Sequence, residues 1–223
     1  MIEPHITVTA DYALEVLASL LGLAYVLLMA RHNIWAWLAS GSGAAIYAWL
    51  LWQDQLPMQA LLHLSYIALA GVGWYQWRQA NTATQTAIER MSLNEHFLVI
   101  GFGIALTLIV AYILTTERLS QSPLLESATT VFALIVTWMV VKQRIENWLY
   151  WIVIDLATAL LFWQTNHTPM SLLYLVYTGI AVYGYWYWRH LYLNQRKLAT
   201  ASTHPDNRDP ISATAITTDD KGF

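Results

Sequence analysis

Apolar runs of roughly 17–25 residues, each closed by a short polar break, set the organisation of this chain. Seven such runs occupy residues 12–30, 34–53, 58–77, 97–116, 123–141, 147–164 and 171–190. As helices rising ~1.5 Å per residue, each spans or nearly spans the hydrocarbon core of a bilayer. The pattern predicts an all-α integral membrane protein with seven transmembrane helices. The breaks Arg31-His32-Asn33, Asp54–Pro57, Gln143–Glu146 and Gln164–Pro169 leave no room for extramembrane domains. Only 78–96 and the stretch after 190 are longer. Residues 191–223, rich in Thr, Asp, Asn and Pro, cannot bury a core and are expected to form a disordered tail.

Composition agrees with the hydropathy pattern. The chain is 57% hydrophobic and 11% charged, against about 25% charged in an ordinary soluble domain. A net charge of −3 offers no nucleic-acid surface, and with no cysteine there is neither a disulfide nor a thiolate metal site. Residues 1–11 lack the basic segment and cleavage site of a secretory signal, so Met1 is expected to begin the mature protein. The seven histidines form neither HxxxH nor HExxH, and Asp155 alone among the acids lies deep in a span, too few ligands for a metal enzyme. No GxxxxGK[ST] sequence is present, so ATP does not supply coupling energy within this chain. The sequence therefore predicts no enzyme, no metal and no cofactor.

Lys and Arg give the orientation. Arg31, Arg78, Arg90, Lys142, Arg144, Arg189, Arg196, Lys197, Arg208 and Lys221 fall on one side of the spans and Arg118 alone on the other. By the positive-inside rule the N-terminus faces out, residues 1–11 being periplasmic, and the tail is cytoplasmic. Trp35, Trp52 and Tyr192, near span ends, suit interfacial anchoring.

The chain also repeats itself. Displaced by 111 residues, Arg31–Arg78 falls on Lys142–Arg189 without a gap, and 15 of the 48 pairs are identical, among them Trp37/Trp148, Trp52/Trp163, Tyr66/Tyr177, Gly73/Gly184 and Trp77/Trp188. Leu and Ala matches come cheaply in apolar sequence, but aligned Trp, Gln and Arg pairs do not. Three spans per copy, with 97–116 restoring direction between them, give a 3+1+3 arrangement of parallel repeats. The predicted units are 12–77, the linker 78–122 and 123–190.

Chemistry concentrates in Glu146–Trp163. A carboxylate in hydrocarbon costs roughly 2.5–3.5 kcal/mol at a helix centre, so Asp155 is expected to face protein or a wet cavity. Trp148, Trp151 and Asp155, at i, i+3 and i+7, share one helical face. Two indoles and an acid suit a flat cationic ring. The repeat partner of Asp155 is Ala44, so the acid belongs to one half only. On span three His63 and Tyr66 share a face, and His63 would have to be neutral beside a cationic ligand. Tyr174, Tyr177 and Thr178 offer hydroxyls on span seven. Glu15 and Glu126, each expected in the first turn of its span, would instead complement the helix dipole.

At Glu146-Asn147-Trp148-Leu149-Tyr150-Trp151 with Asp155, and at Gly73-Trp74-Tyr75-Gln76-Trp77, the chain resembles the nicotinamide riboside transporter (PnuC) family over residues 12–190. The resemblance implies a SWEET-like bundle in the inner membrane that moves a vitamin by facilitated diffusion, with a cytosolic kinase trapping the product. It adds Trp74 to the candidate substrate contacts and favours Thr178, which stands where the family pattern has Thr. The chain departs from that pattern at His63, Ala70, Val72 and Tyr183, losing amides and gaining aromatic area. These departures favour thiamine, the substrate of the related PnuT branch, over nicotinamide riboside. A membrane sensor that binds without transporting is the alternative of a different class, and an oligomer stays open.

Overall fold

The computed structural model describes residues 4–54, 57–82, 88–117, 123–164 and 168–203. They form seven α-helices: α1 (Pro4–Ala30), α2 (Trp35–Gln53), α3 (Pro57–Thr82), α4 (Leu93–Thr116), α5 (Pro123–Val141), α6 (Asn147–Gln164) and α7 (Thr168–Thr203). The expected tail is corrected over its first part, since α7 runs thirteen residues past 190 to Thr203. That segment carries Leu, Gln, Arg, Lys and Ala, all good helix formers, and it continues a helix already nucleated. The remainder of the tail, 204–223, lies outside the described residues.

Helix ends repeat as the sequence does. α1 closes with His32 N–H donating to Met29 O and Asn33 N–H to Leu28 O; α5 closes with Gln143 N–H donating to Val140 O and Arg144 N–H to Met139 O. Both are Schellman closures, which need a left-handed residue. That residue is His32 in one (φ 53°) and Gln143 in the other (φ 55°), exactly 111 positions apart. Their side chains meet, His32 Nε2 lying 3.1 Å from Gln143 Oε1. α4 starts differently, with a Ser92/Glu95 capping box that satisfies two orphan donors at once.

Packing is sequential within each half. α2 lies against α1 and α3, α6 against α5 and α7, and the halves meet where α1 packs on α7 and α3 on α5. α4 packs chiefly on α5, and its His96 reaches Tyr150 of α6 at 2.8 Å. The densest core sits at the Arg- and Lys-bearing end, around Trp37, Trp77, Trp148 and Trp188. Trp37 lies flat over Gly73 and Trp148 over Gly184, leaving no space for a β-carbon at either glycine. Trp77 Nε1 donates to Val141 O (3.2 Å) across the halves, and Trp188 Nε1 to Met29 O (3.1 Å) in return.

Large apolar side chains such as Phe97, Leu108, Tyr112 and Leu160 point outward, while buried positions include Ser127, Asn147, Glu146 and Asp155. That inversion of the soluble pattern fits hydrocarbon as the surrounding solvent. Asp11–Ala30, Leu93–Thr116 and Pro123–Val141 are long and apolar enough to cross a membrane by length and composition alone. The other helices carry Trp, Tyr, His and Gln, which lowers their hydropathy; some of these, such as Trp37, Trp77, Trp148 and Trp188, are buried, while Trp49, Trp52, Trp163 and Trp186 point outward.

Candidate functional site

A cavity of about 390 Å³ lies between the halves, walled by α1, α3, α6 and α7. α6 contributes Trp148, Trp151 and Asp155, α3 contributes His63 and Tyr66, and α7 contributes Tyr174 and Tyr177. Seven of the nine residues singled out from sequence thus face one space. A second, smaller cavity of about 220 Å³ shares Gly22, Tyr25, His63, Tyr66 and Trp151 with it and reaches toward α2.

Asp155 is 6% exposed. None of the ion pairs among the described residues involves it. A buried carboxylate without a cation is expensive unless a ligand supplies the missing charge. Trp148, 2% exposed, stands edge-on to Trp188 with ring centroids 5.7 Å apart and forms the cavity floor. Its Nε1 has no partner, and neither has Nδ1 of His63, so two buried polar atoms on the lining are left open. His63 is held between Tyr47 (5.2 Å, tilted) and Tyr66 (6.0 Å, edge-on). Tyr174 stacks on Phe162 and meets Tyr177 edge-on at 5.8 Å.

Two expected contacts lie elsewhere. Thr178 is turned about 100° from Tyr177 around the helix, and its Oγ1 donates to Tyr174 O (2.9 Å) rather than lining the cavity. Trp74 stands two turns beyond Tyr66, about 12 Å along the axis. There it meets Trp35 edge-on at 5.5 Å and packs against the tryptophan core. Sequence reasoning also missed the contribution of α1, namely Gly22, Tyr25, Val26 and Met29. Their i, i+3, i+4, i+7 spacing was the available signal, with Tyr25 the one hydroxyl on that face.

Glu146, which opens the ExWxxW motif, does other work. It is 4% exposed and accepts from Arg90 Nε (3.2 Å) and Met91 N–H (3.0 Å). It thereby ties the segment before α4 to the start of α6. Arg144 reinforces the tie through Glu89 (3.0 Å) and Glu95 (3.1 Å). No cluster of His, Cys, Asp and Glu suited to a metal occurs among the described residues.

An all-helical, multi-pass membrane bundle enclosing an acidic aromatic cavity has the architecture of a small-solute membrane transporter. The profile of the family described as nicotinamide mononucleotide transporter matches residues 12–190, and the chain belongs to that family. It is 25% identical over 195 residues to the nicotinamide riboside transporter PnuC of Neisseria mucosa, covering 81% of this chain and 73% of that one. The PnuC of Escherichia coli is 21% identical over 206 residues, covering 78% and 84%. A crystal structure described as the vitamin B3 transporter PnuC shares the fold, with a TM-score of 0.65 at 23% identity over 85% of this chain and 86% of that chain. These relatives are transporters, not enzymes. The expected preference for thiamine finds no support among them, since the named substrate is nicotinamide riboside.

Proposed function

We propose that this chain carries nicotinamide riboside across the inner membrane by facilitated diffusion, and that Trp148, Trp151, Asp155, His63, Tyr66, Tyr174 and Tyr177 bind it. The observation that carries the proposal is the unpaired, buried Asp155 beside two indoles in a cavity of about 390 Å³. Small-molecule sites occupy roughly 300–1,000 Å³. The pyridinium of the riboside supplies the charge that Asp155 lacks, and an indole face attracts the same ring. Thiamine is set aside for a physical reason as well. The argument for it was a shortage of polar partners for a ribose, but Tyr25, Tyr66, Tyr174 and Tyr177 stand on the lining and bring hydroxyls where amides are missing.

The matched helix closures, the reciprocal Trp77 and Trp188 hydrogen bonds and the glycine-seated tryptophans support two parallel repeats, 12–77 and 123–190, joined through α4 in a SWEET-like 3+1+3 plan. The positive-inside bias supports a periplasmic N-terminus and cytoplasmic C-terminus. On that orientation the tryptophan core closes the cytoplasmic end below the cavity, and a cytosolic kinase draws uptake forward by phosphorylating the product.

Uptake of labelled riboside into proteoliposomes without ATP tests the proposal. Saturable uptake that Asp155→Asn weakens supports it. Binding without uptake points to a sensor, and thiamine outcompeting the riboside overturns the substrate.

A further inference from the structure

The two cavities are related by the internal repeat. Shifted by 111 positions, Trp151, Asp155, Tyr174 and Tyr177 of the larger one become Ser40, Ala44, His63 and Tyr66, all of which line the smaller one. Val26 of the larger likewise becomes Thr137 of the smaller. Five lining positions of the larger cavity therefore have their repeat mates on the smaller one, and at four of them the side-chain chemistry differs. In one the wall is indole, carboxylate and phenol. At the matching positions of the other an indole has become a hydroxyl, the carboxylate a methyl and a valine a threonine, while Trp151 itself borders both cavities.

The consequences are chemical. The smaller cavity, about 220 Å³, has no carboxylate to attract a cation and has Ser40, Tyr47 and Thr137 hydroxyls on its wall. Tyr47 OH already pairs with Ser19 Oγ at 2.9 Å, and Thr137 Oγ1 donates to Ala133 O at 2.7 Å, so both are held in place with capacity remaining. His63 and Tyr66 line both cavities. The unpartnered Nδ1 of His63 stands at the join between them.

We propose that the smaller cavity is a second half-site, which seats the uncharged, hydroxyl-bearing part of a solute whose cationic ring occupies the Asp155 half-site, with His63 contacting the solute at the junction. The proposal rests on the riboside reading given above and divides that substrate between the two halves. It explains the one-sidedness of the acid, because a solute with one charged end needs one carboxylate. A second acid at position 44 would leave an unpaired charge facing hydroxyls.

The test compares two probes on the full-length purified protein: nicotinamide riboside, and 1-methylnicotinamide, which keeps the cationic pyridinium ring but carries a methyl group on the ring nitrogen in place of the sugar. Binding is read by calorimetry. Ser40→Val removes a hydroxyl and Ala44→Leu fills the smaller cavity. Each is expected to lower riboside affinity about tenfold, the worth of one well-made hydrogen bond, while ring affinity stays within about twofold. Should Ala44→Leu not fold, Ser40→Val decides alone. Asp155→Asn is expected to weaken both probes. The half-site assignment is overturned if Ser40→Val weakens both probes alike, leaves riboside affinity unchanged, or if the native protein fails to bind the methylated ring. A native-like affinity of Asp155→Asn for both probes overturns the underlying riboside site instead, so the two failures are distinct.

Discussion

Acid should loosen this protein through His32, and the size of the effect follows from the packing around that ring. His32 lies in the turn between α1 and α2, stacked on Trp77 at 4.5 Å and edge-on to Trp188 at 5.0 Å. Burial pushes its pKa down from the usual 6.5 to about 4, the hydrogen bond to Gln143 opposing in part. Between those values the unfolded chain binds a proton that the folded chain refuses. Stability is therefore full above pH 6.5 and falls as pH drops toward about 4, where the loss is complete. The whole difference is about 3 kcal/mol. For a chain of this size that corresponds to about 6–12 °C in Tm. His32→Gln keeps a side-chain hydrogen-bonding group opposite Gln143 but cannot titrate. Tryptophan fluorescence during thermal unfolding, followed from about pH 7.5 to about pH 4.5, should show the native protein losing this margin while the variant, less stable at neutral pH, loses less. Other titrating groups act on both proteins and cancel in the difference. Parallel curves for the two would refute the reasoning.

Other perturbations have equally definite outcomes. Gly184→Ala and Gly73→Ala each force a methyl into an indole face and should cost about 1–3 kcal/mol by overpacking. Gly101→Ala, whose added carbon meets nothing within 4 Å, should not lower Tm. Glu146→Ala should cost about 1–3 kcal/mol because Met91 N–H loses its buried acceptor. The exposed Arg90, at 62%, adds little to that loss. Faster proteolysis between residues 88 and 92 would report the freed segment, and an unchanged rate would place the tie elsewhere. Tyr25→Phe should weaken riboside binding by about 0.5–1.5 kcal/mol in calorimetry, and unaltered affinity would remove that hydroxyl from the site.

What the sequence made legible was whatever depends on one helix or on the repeat. The i, i+3, i+7 face of α6 places Trp148, Trp151 and Asp155 on one cavity, because helical phase is fixed within an element. What it did not make legible depends on the rotation of one helix against another. Trp74 and Thr178 share helices with true lining residues, yet depth along the axis removes one and phase removes the other. α1 was overlooked because the lone hydroxyl of Tyr25 is a faint cue in an otherwise apolar helix, and its packing on α7 is what brings that face inward. The preference for thiamine, which the named relatives do not support, rested on amides lost on single helices without the phenols that neighbouring helices bring to the same space. Trp77 and Trp188, the same in both copies, hold the halves together through reciprocal hydrogen bonds, while the matched Gly73 and Gly184 seat the Trp37 and Trp148 indoles within each half. On the cavity walls the copies agree at Tyr66 and Tyr177 but differ at Asp155 against Ala44 and Trp151 against Ser40. The divergence at these two wall positions follows the proposed asymmetry of the solute. On that basis Asp155→Ala with Ala44→Asp, which moves the acid to the other half, should fold but bind the riboside poorly, since the hydroxyl-lined lobe alone would carry the charge. Riboside affinity retained in that double variant, measured by the same calorimetry, would show that the two lobes are interchangeable and that divergence between the repeats carries no specificity.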